Sequence, residues 1–314
     1  MKTKLLVAFL FLISALFLIP SFIYYLSTLQ KKEVSKKEIL SQAILLPTET
    51  PRSRLPQIAE EYLLGYEGNY AIVIKNLKTG ENYFYNENKK FDSASLYKLW
   101  VMAVAFQKIK DGTLDEEDVL SLPIDYLDNT LSTTTPTPTP EGFSPTPTPE
   151  EQEAKTISMT TKDAIERMIT VSDNYAALLV ASHSGTANVV KFLKDYNFKN
   201  SNFKQPPQTS AEDIALFFEA LYNGEIVDEN YSEKMIDILR QQTLNDRIPK
   251  YLPKNTEVAH KTGELFNSKH DAGIVYSRKG DYIIVVLTDT KNVKKAIEDI
   301  ANFSKQVYDY FISL

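Results

Sequence analysis

Between Ser95 and Lys110 the chain reads SLYKLWVMAVAFQKIK, a helix-length run with apolar side chains on nearly every face. A helix of that kind has no side to offer water and must be enclosed by the rest of the protein. Asp111-Gly112 closes it. The chain has 314 residues, 43% of them hydrophobic and 24% charged, which is enough material in globular proportions to build that enclosure.

The remaining periodicity says what surrounds the helix. A helix is expected from about Leu55 to Gly65, then a hairpin of AIVIKNL (71–77) and ENYFYNE (81–87) turning at Lys78-Thr79-Gly80. Helical spacing resumes at Thr161 and continues through NYAALLVASHSG and ANVVKFLKDYN, with further helices near 210–222 and 231–242. The period then changes to two. Strands are expected at 256–263, 270–277 and 281–290, and an amphipathic helix at 292–313 closes the chain. Strands at both ends with helices between them predict an α/β (α+β) fold. Its antiparallel sheet is formed from both ends of the chain and flanked by helices, with an all-helical subdomain. One domain, 55–314, is expected. Alternating Thr-Pro at about 132–150 cannot be helix or central strand and reads as an insertion within it.

Ahead of this domain, Leu5–Leu29 is 25 positions without a charge, against about 20 needed to span a bilayer. Residues 1–29 are expected to form a retained transmembrane anchor, the alternative being a cleaved signal, with 30–54 as a tether. Lys2 and Lys4 before the run and Lys31, Lys32, Lys36 and Lys37 after it leave the orientation open. A net charge of −6 argues against nucleic acid as a partner. No cysteine and only three histidines (His183, His260, His270) leave little from which to build a metal centre, and no cofactor is expected. The chemistry is left to Ser, Lys, Asp or Glu. A monomer is expected.

Three short motifs follow one another. Ser95-Leu96-Tyr97-Lys98 is S-x-x-K, and positions i and i+3 of a helix share a face, so the Lys98 amine can reach the Ser95 hydroxyl. A lysine serves as base to a serine only if its pKa is lowered, and the apolar helix supplies the burial. Ser172-Asp173-Asn174 falls between two helices, and Lys261-Thr262-Gly263 at the end of a strand. Each has a plain structural reading as a helix cap or a turn. The chain contains its own controls: Ser201-Asn202-Phe203-Lys204 repeats the first motif in a polar loop, and Lys78-Thr79-Gly80 repeats the third in a turn.

The order S-x-x-K, S-D-N, K-T-G, on a buried helix, an interhelical loop and a strand, resembles class A β-lactamases and penicillin-binding proteins across about residues 55–314. That resemblance implies a β-lactamase/transpeptidase-like fold. It also implies Ser95 as acylated nucleophile, Lys98 as its proton acceptor and Ser172 as proton donor to the leaving nitrogen. Asn174 would hold the substrate amide. Lys261 would keep Lys98 deprotonated and, with Thr262, receive a substrate carboxylate. Gly263 precedes Glu264, whose backbone N–H would join that of Ser95 in the oxyanion hole. The substrate would be a β-lactam or, alternatively, a D-Ala-D-Ala peptide of peptidoglycan, with a covalent β-lactam sensor as a third reading. The domain would stand outside the cytoplasmic membrane.

Two features depart from the family's pattern. Class A enzymes place a water-activating glutamate on a loop after S-D-N, whereas Ala181–Thr209 contains none. Glu212 reads as a first-turn helix residue, and Asp195 lies beside exposed Lys194. No arginine near K-T-G stands out as a carboxylate partner, leaving Lys269 as the nearest cation. Slow deacylation is therefore expected. A Ser-His-Asp hydrolase is disfavoured, because G-x-S-x-G is absent and His260 points to the opposite face from Lys261.

Overall fold

The computed structural model describes residues 53–64, 68–134 and 156–314. The expected anchor (1–29), nearly all of the tether and most of the Thr-Pro tract lie outside the described residues. Among the described residues no helix is long and apolar enough to cross a membrane.

Pro56 at its start opens α1 (Leu55–Ala59), which runs on as a π-helical turn (Glu60–Leu64) and buries Leu55, Ile58, Ala59 and Leu63. The hairpin β1 (Asn69–Asn76) and β2 (Asn82–Tyr85) follows, with Lys78-Thr79-Gly80 in its turn. After β3 (Phe91–Asp92), a 3₁₀ turn (Ala94–Tyr97) leads into α2 (Lys98–Lys110), whose residues from Lys98 to Phe106 are all buried. Next come β4 (Val119–Pro123), α3 (Ile124–Thr134), β5 (Thr156–Thr160), α4 (Thr161–Thr170), α5 (Asn174–Ser184) and α6 (Thr186–Asp195). The last part is β6 (Gln208–Thr209), α7 (Ala211–Tyr222), α8 (Glu229–Arg240), β7 (Val258–Leu265), β8 (Ser268–Val275), β9 (Tyr282–Asp289) and α9 (Val293–Ser313).

The main sheet has the order β2-β1-β9-β8-β7 and is antiparallel throughout, so strands from both ends of the chain meet at its middle. Of its inner strands, β1 and β9 are apolar along most of their length because both faces are covered. Alternation divides them between two cores. Tyr70, Ile72, Ile74, Tyr282, Ile284 and Val286 face α1 and the Ile300, Phe303, Val307 and Phe311 stripe of α9. Ala71, Val73, Ile283, Val285 and Leu287 face the helical block around α2.

Several expectations are corrected. Ser95 lies on the 3₁₀ turn before α2 rather than on the helix itself. K-T-G lies inside β7, which continues through Glu264 and Leu265. The pairs β3–β6 and β4–β5 were not anticipated. Each of β4 and β5 is only five residues long and largely exposed or half-exposed, so neither offers an apolar run of the length that β1 and β9 carry. Because β4 and β5 pair, the chain on either side of 135–155 joins one small sheet.

Gly273 on β8 faces His260 of β7, and a Cβ there would fall 2.4 Å from the Ala259 carbonyl oxygen and 2.7 Å from the His260 Cα. Backbone cannot step aside as a side-chain end can. Gly273→Ala should therefore force β7 and β8 apart and lower stability by about 2–3 kcal/mol. Urea unfolding at unchanged m-value measures this, and a loss below about 0.5 kcal/mol would show the strands accommodate it.

Candidate active site

Two lysines with no solvent exposure meet at one hydroxyl. Lys98 stands at the start of α2 and Lys261 in mid-β7, and both are fully buried. Lys98 Nζ donates to the Ser172 carbonyl (2.7 Å), Ser172 Oγ (3.2 Å), Asn174 Oδ1 (2.8 Å) and the Asp173 carbonyl (3.5 Å). Lys261 Nζ donates to Ser172 Oγ at 3.0 Å and to the Thr262 carbonyl at 2.9 Å. Residues 172–174 thus sit between Lys98 and Lys261. The Lys98 bonds all go to residues 172–174 and none to Ser95.

The local backbone explains this convergence. Asp173 caps α5 by accepting from the Ala176 N–H, so the capping reading of S-D-N holds for Asp173 alone. Ser172 takes φ +58°, a left-handed conformation uncommon for a serine, and turns both its oxygens to the lysines. Ser95 is not a cap either. The N-cap of α2 is Tyr97, which makes no side-chain capping bond. Gly263 lets β7 approach the Ser95 turn, since a Cβ there would lie 3.3 Å from Leu96 Cγ and 3.1 Å from the His270 ring. Glu264 follows directly and lines the same cleft as Ser95.

Burial brings the Lys98 amine down from 10.5 to about 7, against the opposing pull of the Asp173 carboxylate. Lys261 is pushed well below its usual range by burial and by Lys98, an effect to which Arg247 adds and which Asp271 opposes. The expectation gave Lys261 the charge and Lys98 the neutral amine. Repulsion here acts on the pair, and one proton is shed more easily than it would be from either lysine alone.

The cleft beside Ser95 has a volume of about 340 Å³. Asn174 lines it from α5, Tyr126 from α3, and Gln205 and Pro207 from the loop after α6. That loop is fastened to the Ser95 turn, with Ser93 N–H donating to the Pro207 carbonyl at 2.8 Å and Asp92 paired with Gln208. His270, held neutral by burial with its pKa lowered to about 4, donates from Nε2 to the Asp92 carbonyl at 2.8 Å and accepts the Thr288 N–H on Nδ1. It anchors the turn to the sheet. His260 bonds Asp271 (2.8 Å) and Asn245 (2.9 Å) and makes no bond to Ser95, so a Ser-His-Asp triad is not assembled.

Glu212 is in the first turn of α7 with Lys75 at 3.8 Å, and Asp195 pairs with Lys191; neither lines this cleft. Sequence reading missed Arg247. It is fully buried, donates to the His270 carbonyl at 3.4 Å, and forms an ion pair with the Glu264 carboxylate. It corrects the expectation that no arginine accompanies K-T-G. The segment around it, TLNDRIPK, carries no periodic pattern that would have placed it there.

A model of the β-lactamase enzyme family matches residues 54–311. β-Lactamase VEB-1 of Pseudomonas aeruginosa is 24% identical over 273 residues, covering 81% of this chain and 89% of that protein. Among solved structures, PBP-A superposes with a TM-score of 0.71 at 22% identity, over 86% of this chain and 100% of that one. A β-lactamase from Sphaerobacter thermophilus gives 0.69 at 18%, over 83% and 97%. At such identities the superpositions speak for the fold. The family model spans most of the sequence and includes all three motifs, and on that ground the chain belongs to the β-lactamase enzyme family.

Proposed function

We propose that this class A β-lactamase-like serine hydrolase opens β-lactam amides through an acyl-enzyme on Ser95 and releases the product slowly. The observation that carries the reading is the meeting of two buried amines on Ser172 Oγ beside the Ser95 cleft. In the first step Ser95 Oγ attacks the carbonyl carbon and its proton passes to Lys98 Nζ. The oxyanion forms against the backbone N–H groups of Ser95 and Glu264. The C–N bond then breaks as Ser172 gives its proton to the leaving nitrogen and recovers one from the lysine pair. Asn174 orients the substrate amide, and Thr262 with Lys261 meets its carboxylate. Water finally cleaves the seryl ester.

That last step lacks an evident base. Glu264 is the one carboxylate among the described residues lining the cleft, and it is committed to Arg247 and Lys269. The same deficit supports a second reading, a D-Ala-D-Ala carboxypeptidase, in which departure of the D-alanine leaves room for water. Either substrate belongs outside the cytoplasmic membrane, with Leu5–Leu29 as the anchor. Mass spectrometry of the membrane-extracted protein should find residues 1–29 retained, and a mature N-terminus between 25 and 55 would show a cleaved signal instead.

Fluorescent penicillin should label the protein covalently, and Ser95→Ala should abolish the label. Labelling that survives the substitution overturns the mechanism. Lys98→Ala should slow acylation by roughly 10²–10⁴. Because the Lys98 amine titrates near 7, its base form predominates above that pH. The acylation rate should therefore fall about tenfold per unit below pH 7 and level off above it. A rate flat from pH 5 to 8 would exclude Lys98 as proton acceptor.

Penicillin hydrolysis should begin with one equivalent per enzyme and continue slowly. Gln205, on the cleft wall, offers an amide of glutamate's shape. Gln205→Glu should raise the steady rate by up to about 10²–10⁴ while leaving the burst in place. Fast turnover in the unmutated protein would show that deacylation already has its base.

A further inference from the structure

The Glu264 side chain is half-exposed in the cleft beside Ser95, yet both its oxygens are taken. Oε1 accepts from the Arg247 guanidinium, and Oε2 accepts from Lys269 Nζ at 2.6 Å. Arg247 has no exposure of its own, and Lys269 lies opposite Glu264 in the β7–β8 register. Glu264 is also the only charged residue among the described residues lining this cleft. Asp246 stands 3.6 Å from the Arg247 Nε. The group formed by Arg247, Lys269, Asp246 and Glu264 thus holds two cations and two carboxylates, with no net charge.

We propose that Glu264 is a resident carboxylate. It holds Arg247 and Lys269 as ion-pair partners, so neither cation lends its charge to the Thr262–Lys261 position that meets a substrate carboxylate, and the cleft favours acyl donors whose carboxylate is absent or masked. The proposal rests on Ser95 being the acylated residue. A carboxylate arriving at Thr262 and Lys261 finds the neighbouring N–H donors already taken by Glu264 and meets a like charge as it approaches. A neutral ester or amide at that position meets neither obstacle. Glu264 is here a specificity-determining residue, acting through its side chain, while its N–H serves the oxyanion.

The test compares penicillin G with its methyl ester, two acyl donors that differ in that one charge. Acylation rate constants are read by mass spectrometry of the full-length protein. Glu264→Gln removes the charge and keeps the shape. It should raise the acid-to-ester ratio roughly tenfold, about the effect of one charge a few ångströms away in a half-solvated cleft. Glu264→Thr should give the same shift, and Glu264→Asp should retain the wild-type ratio. A parallel change in both substrates would mark a structural role and overturn the proposal. So would an unchanged ratio in either neutral variant. If neither compound acylates the wild-type protein, the acyl-enzyme reading itself fails and the proposal falls with it.

Discussion

Two fully buried lysine amines that meet at one hydroxyl set the conditions for everything around them. A buried lysine is tolerated only where its hydrogen bonds are satisfied or its charge is given up, and Lys98 and Lys261 do both. Their acceptors come from Ser172, Asp173, Asn174 and Thr262. Supplying them requires the left-handed backbone at Ser172, the Asp173 cap that starts α5, and a strand that brings Lys261 in from the far end of the chain. The all-apolar α2 is the other half of the same arrangement, because it is what dries the site.

This division explains what was legible in the sequence. The α2 run, the period-two strands and the amphipathic α9 all follow from the need to bury apolar area, and that need is written locally. The three motifs were legible through their order, since the duplicates at 78–80 and 201–204 show how little each means alone. Ser95 reads as helical because it opens the apolar run that ends at Lys110; the 3₁₀ turn keeps it three residues before Lys98 while leaving the serine in the cleft lining.

What escaped the reading was long-range and polar. Arg247 is buried by its neighbours, not by any pattern of its own, and its partners Glu264 and His270 lie many residues away. The β4–β5 pair joins two short, half-exposed segments that lie on either side of 135–155. His270 ties Asp92 to β8 through a register that no short window contains. In each case the stabilising contact joins residues distant in the chain, so local propensity was silent.

The middle of the sheet joins β1 to β9, with Val73 opposite Val285, so their pairing closes a loop of about 210 residues. Before β9 exists, β1 has only β2 beside it, and an isolated two-stranded hairpin is marginal in water. The core between the sheet and α9 is likewise missing one of its two walls until α9 arrives. The order of synthesis thus carries information that the finished fold conceals. A nascent chain emerging from its N-terminus stays without its central strand pair until almost the last residue is made.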